Sequence, residues 1–367
     1  MNKILILIIL TLVIFCACND DIFYRISAEI PLIEPRIKGS PTNFVMFTSD
    51  EGEMMYVATR SYLFSYDNGT WIRMTLDMNI IQLAVTENYL YALCYLDSTS
   101  GITRRIKRMD KSNTWEDFPD TPPGAMQSIF SANNIIYIGV QDGSAFSTYT
   151  INASDILEEM IVTGTDTDLQ NTVTSLLNGA GYNGTATFLC FKNSIMVNGA
   201  LLPESMGYDF EAMITLPDGT IAVITRLGNL HTVTAAGVAK TAVAGFNNPA
   251  RWLASGAIAI WENEGDYLLL VGRQDRIYTT STGFSHGYME LELNGTGGLL
   301  TDASFKEPGT GSYSSVFDND KYASSLGTIP VNHLFQAPNG IIFASTQKSG
   351  VYSHKDRGDG IYWNAEE

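Results

Sequence analysis

The last 34 residues, Leu334 to Glu367, constrain the chain more than any other stretch. They hold four short apolar or alternating runs, separated by turn clusters at Pro338-Asn339-Gly340, Lys348-Ser349-Gly350 and Arg357-Gly358-Asp359-Gly360. Four strands in so short a span make a small antiparallel meander. A single meander cannot bury both of its faces, so it needs copies of itself to stack against. The chain contains those copies.

Aligning on the second run of this unit, Ile341-Ile342-Phe343-Ala344, finds six earlier matches, which makes Tyr56, Tyr91, Tyr137, Phe188, Ala222, Leu269 and Phe343 equivalent. The steps between them are 35, 46, 51, 34, 47 and 74 residues, and all but the last lie near the period of a propeller blade. An apolar run precedes each marker, and a more polar third run such as YLFSYD, RRIKRMD, FSTYTI, LHTVTA, IYTTST or GVYSHK follows it. That gradient suits a blade whose first strands are sandwiched and whose last faces water. Asp67-Asn68-Gly69, Pro217-Asp218-Gly219 and Pro338-Asn339-Gly340 supply hairpin chemistry, because Gly and Asn accept positive φ and Pro fixes the preceding corner. The expectation is an all-β, seven-bladed β-propeller over residues 43–367, with six or eight blades as the alternatives. The 74-residue step places an insertion at 295–330, where 18 of 36 residues are Gly, Ser, Thr or Pro, as in a long surface loop.

The amino-terminal end sets the cellular address. Lys3 is followed by twelve apolar or nearly apolar residues, Ile4 to Phe15, too few to cross a bilayer as a helix but suited to an export signal. Phe15-Cys16-Ala17-Cys18 resembles the lipobox of bacterial lipoproteins: Ala17 is small at −1, whereas Phe15 replaces the usual Leu and Cys16 the usual Ala or Ser. The resemblance implies cleavage of a signal over residues 1–17 and lipidation of Cys18, giving a chain tethered outside the cytoplasm, periplasmic or surface-exposed. Plain secretion, or an uncleaved anchor, is the alternative. Residues 18–42 contain Pro31, Pro35 and Pro41, which forbid a long helix and favour an extended tether, with pairing of part of it to an outer strand as the alternative. Cys94 and Cys190, the two cysteines beyond the signal, sit in apolar strand patterns and read as buried free thiols.

A net charge of −17 disfavours nucleic acid and anionic head groups, so membrane attachment must come from the lipid. With 45% apolar and 17% charged residues, the body is globular; a monomer is expected. Ser65-Tyr66-Asp67-Asn68-Gly69-Thr70-Trp71 resembles the Asp-box of sialidase-type propellers, one residue short, and Asp110 to Trp115 is a looser echo. In that family the box is a structural turn between the third and fourth strands, so the resemblance implies a propeller and no catalytic residue. Neither the four histidines nor the loop carboxylates have metal-ligand spacing, and no nucleophile, phosphate or dinucleotide motif occurs. No catalytic residue, metal or cofactor is therefore assigned.

Charge placed on the repeat suggests a site. Loops joining second to third strands leave one face of the disc, and Arg60, Arg104, Lys192, Arg226, Arg273 and Lys348 are assigned there. The opposite hairpins carry Asp50, Glu51, Glu53, Glu87, Asp218, Glu262, Glu264 and Asp266. A ring of cations at the channel mouth would focus an anionic ligand, either a glycan or an acidic protein segment. Asp209 and its neighbours in the connections between blades oppose that field. The expected function is a binding or interaction scaffold; the alternative is a glycan-active hydrolase or lyase on the same fold.

Overall fold

The computed structural model describes residues 37–366 except 68, 99–100, 161–174, 203–207, 235–236, 241–242, 244–252, 264, 275–286, 306–328, 348 and 357–360. Among the described residues every regular element is a strand, and the strands fall into seven antiparallel blades. The first blade takes Val45–Ser49, all of Gly52–Asp67 and the start of Thr70–Val85. Gly52–Asp67 contains both the second and third strands and turns at Arg60, whose φ of 38° lies in the left-handed region. Thr70–Val85 is shared: residues 70–75 close the first blade by pairing with 62–67, and its later part opens the second by pairing with Leu90–Ser98. Gly101–Met109 and Trp115–Asp117 complete that second blade.

The third blade runs from Ala125–Ala132 through Ile135–Asp142 and Ala145–Ile151 to Leu157–Glu159. The fourth comprises Leu177–Tyr182, Thr187–Phe191, Ser194–Val197 and Ala200–Leu201; the fifth comprises Phe210–Thr215, Ile221–Thr225, Leu230–Thr234 and Gly237–Lys240. Ala254–Asn263, Asp266–Arg273 and Tyr288–Glu292 form the sixth, and Val331–Gln336, Ile342–Thr346, Gly350–Asp356 and Ile361–Ala365 form the seventh. All seven marker residues are buried on second strands, at 5% exposure or less. The repeat therefore locates the most sandwiched strand of each blade.

The blades close into a ring because each interface holds its own apolar cluster. Tyr56 and Leu63 of the first blade pack with Leu83 and Cys94 of the second, and equivalent clusters join each following pair. Between the last blade and the first, Phe343 and Val351 meet Met55, Val57, Phe64, Tyr66 and Trp71. Burying each large side chain stabilises by about 1.5–3 kcal/mol. Cys94 and Cys190 are free and buried, and burial pushes the Cys94 thiol up to about 12.

Hydrogen bonds between neighbouring inner strands run around the same ring. Asn43 exchanges two bonds with the Leu83 backbone, at 2.8 and 2.9 Å. Gln82 accepts from Ile129 N–H, Ser128 donates to Leu177 C=O, and Asn178 donates to Phe210 C=O. Ala254 N–H donates to Arg226 C=O, Ser255 to Val331 C=O, and Ser345 to Pro41 C=O. These bonds satisfy backbone groups that an open blade would leave to water.

Three boundaries differ from the sequence reading. Residues 37–42, read as the end of a tether, are docked on the propeller: Ile37 is fully buried, Gly350 N–H donates to Gly39 C=O at 2.9 Å, and Ala58 N–H donates to Thr42 Oγ1. The third strand of the sixth blade is Tyr288–Glu292, registered Leu269 to Leu291, whereas the expected IYTTST run lies outside the described residues. The loop expected over 295–330 starts as a largely exposed turn, but it sends one side chain into the core. Asn294 Oδ1 caps a turn by accepting from Thr296 and Gly298 N–H, Leu293 bridges Leu299, and Phe305 is buried between the fifth and sixth blades. The box-like stretch behaves as its resemblance implies: Asp67 pairs with Thr70 across the turn between third and fourth strands, with Gly69 at φ 94°. In its looser echo, Asp110 accepts from Ser112 and from Thr114 N–H, and those bonds hold its carboxyl below the usual range.

Candidate functional site

The two ends of the disc carry different chemistry. Hairpins joining first to second strands expose Asp50, Glu51, Glu53, Glu87, Asp218, Glu262 and Asp266 on one end, while Glu264 lies outside the described residues. Between the ends, the inner strands line a narrow channel. A cavity of about 160 Å³ there is walled by Phe44, Phe130, Asn178, Met213, Ile258 and His333, among others. Apolar crowding pushes the His333 imidazole down to about 4, so it stands neutral at ordinary pH. Two more histidines are packing residues. His231 sits 4.7 Å from the Tyr208 ring, and His354 lies 4.9 Å from Trp261 and 5.4 Å from Trp363.

Of the six cations assigned to the opposite end, the five among the described residues do not form one ring. Arg104 lies on the third strand of its blade, opposite Tyr95, because the hairpin before it turns at residues 98–101. Its guanidinium is committed to the third blade, donating to Met126 C=O and to Gln127 Oε1. Arg273 is 1% exposed at the end of its strand, with Nη1 at 3.5 Å from Met289 Sδ, and so does not reach a mouth. Lys192 and Arg226 are brought together across Asp209, at 3.8 and 3.9 Å. Beside them Glu211 is raised, first by burial and then by the Asp209 charge, while Arg226 and Lys192 pull it back. The one carboxylate between the blades thus offsets part of the charge of that pair. Lys348 lies outside the described residues.

Arg60 belongs to a different constellation. It lines a cleft of about 1170 Å³ with Lys38, Gly39, Ser40, Thr59, Tyr62, Phe64, Trp71, Ile72 and Arg73. The first blade builds three of its sides. The left-handed turn at Arg60 points that residue outward, the third strand presents Tyr62 and Phe64, and the outer strand presents Ile72 and Arg73. The fourth side is the docked segment that carries Lys38. Arg73 lies over the Tyr62 ring at 4.9 Å to its centroid, a cation–π contact that orients the guanidinium. Phe64 and Trp71 belong to the buried seam beneath, where Trp71 Nε1 donates to Glu366 Oε2 at 2.8 Å. Three cations lie in the wall, and no carboxylate does among the described residues. Lys38 and Arg73 were not assigned from sequence, because neither lies in a loop between second and third strands.

Comparison with known proteins agrees with the fold. No protein-family model and no curated protein sequence matches the chain. Among solved structures it is similar to the extracellular domain of BT4673 from B. thetaiotaomicron, described as a hybrid two-component system. That match has a TM-score of 0.56 and 14% identity over 87% of this chain, which spans only 38% of the other. It is also similar to virginiamycin B lyase from Staphylococcus aureus, with a TM-score of 0.55 and 11% identity over 87% of this chain and 96% of that one. Ycf48 bound to a D1 peptide gives a TM-score of 0.51 and 11% identity over 88% and 93%. At such identities the likeness concerns fold alone. The chain is a seven-bladed β-propeller.

Proposed function

We propose that the protein is a lipid-anchored, extracytoplasmic propeller that acts as a binding scaffold for an anionic ligand, held in the cleft of the first blade. The observation that carries this reading is the grouping of Lys38, Arg60 and Arg73 around exposed Tyr62 and Ile72, in a chain whose net charge is −17. Cations are scarce in this chain, and several others are matched to carboxylates: Arg108 bonds Glu116 at 2.6 Å and Asp155 at 3.0 Å, and Lys107 meets Asp117 at 3.2 Å. A cleft that concentrates cations attracts anions and orients them with charge-assisted hydrogen bonds.

Titrating oligogalacturonate and a poly-glutamate peptide, against neutral cello-oligosaccharide, tests the reading. The wild type should bind at least one anionic probe and not the neutral one. The Arg60→Ser/Arg73→Ser pair should weaken that binding by about tenfold or more, since each charge-assisted bond is worth roughly 1.5–3 kcal/mol. Glu51→Ser/Glu87→Ser, on the far end, should leave it unchanged. Equal losses from both pairs, or no anionic binding at all, would remove the cleft from the account.

The anchor rests on the lipobox-like Phe15-Cys16-Ala17-Cys18, which lies outside the described residues. Cys18→Ala should leave an unprocessed precursor or release the chain to the soluble fraction, because acyl chains supply the membrane affinity. Mass spectrometry of the wild-type mature amino terminus should show a diacylated cysteine. An unmodified terminus contradicts the anchor.

A further inference from the structure

We propose that the ligand of this cleft is an extended acidic peptide segment that adds as a fifth strand to the outer edge of the first blade; the proposal rests on reading the cleft as an anion site. The first observation is the edge itself. Residues 70–75 pair over six positions with 62–67 on one side. No backbone bond of theirs to another strand occurs on the other side among the described residues. In the other blades the described fourth strands are Trp115–Asp117, Leu157–Glu159, Ala200–Leu201, Gly237–Lys240 and Ile361–Ala365, of two to five residues. Short outer strands protect a sheet against pairing with other chains, and the first blade departs from that protection. Six residues at about 3.3 Å each give an edge roughly 20 Å long, enough to template a strand.

The second observation is what flanks the edge. Tyr62, 38% exposed, lies on the same face as Arg73, while Ile72, 52% exposed, stands on the opposite face of the edge strand. Trp71 and Arg73 are two apart and share the strand face turned toward the cleft, with Arg60 and Lys38 across it. A peptide lying along this edge would place alternate side chains on that same face, so acidic residues at i and i+2 meet the cations while its backbone pairs with the strand.

The third observation separates a peptide from a sugar acid. Sugar rings stack on open aromatic faces, but Tyr62, the exposed ring of the cleft, carries Arg73 over it at 4.9 Å and has Phe64 at 6.3 Å. Trp71 is buried in the seam. What the cleft offers is directed positive charge beside open backbone, and a strand uses both.

Fluorescence anisotropy on the wild-type protein tests this with a labelled nine-residue peptide alternating Glu and Val. The comparison probes are the same peptide N-methylated at every second amide, in each of the two registers, and an oligogalacturonate of equal charge. The parent peptide should bind, and one N-methylated register should lose about tenfold or more while the other changes little, because only one set of amides points at the protein edge. Arg60→Ser/Arg73→Ser should weaken the parent peptide by a similar factor. If both methylated peptides bind like the parent, or if the oligogalacturonate binds as tightly as the peptide, the strand-addition proposal is overturned while the anion site stands. If no anionic probe binds, both fall together.

Discussion

A chain ending at His333 is expected not to fold into a closed ring. Removing residues 334–367 takes away most of the seventh blade and with it two of the seven apolar interfaces. On one side Ala257, Trp261, Leu270 and Tyr288 lose Ile342, Ala344, Tyr352 and Trp363. On the other Met55, Val57, Phe64, Tyr66 and Trp71 lose Phe343 and Val351. At about 1.5–3 kcal/mol for each large side chain returned to water, these losses exceed the roughly 5–15 kcal/mol by which whole domains are stable. The two bared blade faces would also be apolar patches large enough to drive association. Size-exclusion chromatography with light scattering should show aggregates or an absent monomer peak, and calorimetry should show no cooperative transition at the wild-type temperature. A monomer with an unchanged melt would mean that the chain does not close.

The architecture was legible because a blade repeats its burial pattern. Tyr56, Tyr91, Tyr137, Phe188, Ala222, Leu269 and Phe343 were equivalent by alignment of the apolar second run, and each lies buried on a second strand. What spacing could not supply was the exact course of strands whose composition is ambiguous. Tyr288–Glu292 alternates Met and Leu with Glu and still buries Glu290, so its place as a third strand depends on the sixth interface. Residues 37–42 look like linker because Gly39 and Pro41 break local structure, yet Ile37 buries completely once the last blade is beside it. The last-blade partners of Ile37, Gly39 and Pro41 lie some three hundred residues away, beyond the reach of any local pattern.

The candidate site was legible only in part. Loop position could not tell an exposed arginine, such as Arg60, from one spent on a neighbour, as with Arg104, or one drawn inside, as with Arg273. Asp209, which sits between Lys192 and Arg226, was the recognisable warning that connections between blades would oppose a continuous ring. Lys38 and Arg73 came together with Arg60 through ring closure and strand pairing. A signal was nevertheless present, since Arg73 lies two residues beyond the box-like stretch that fixes the outer strand.

The central claim is that the last blade closes against the first, and a double-mutant cycle at Trp71 and Glu366 measures it directly. Trp71 Nε1 donates to Glu366 Oε2 at 2.8 Å, the other carboxylate oxygen accepts from Ser353, and Glu366 is 7% exposed, 295 residues along the chain from its partner. A buried hydrogen bond to a charged group contributes roughly 1.5–3 kcal/mol. Trp71→Phe removes the donor and keeps most of the apolar contact; Glu366→Ala removes the acceptor. In urea unfolding each single change should destabilise by about that amount, and the double change should cost less than their sum by about 1 kcal/mol or more, as for residues in direct contact. Strict additivity of the two changes would place these residues apart and contradict a closed ring.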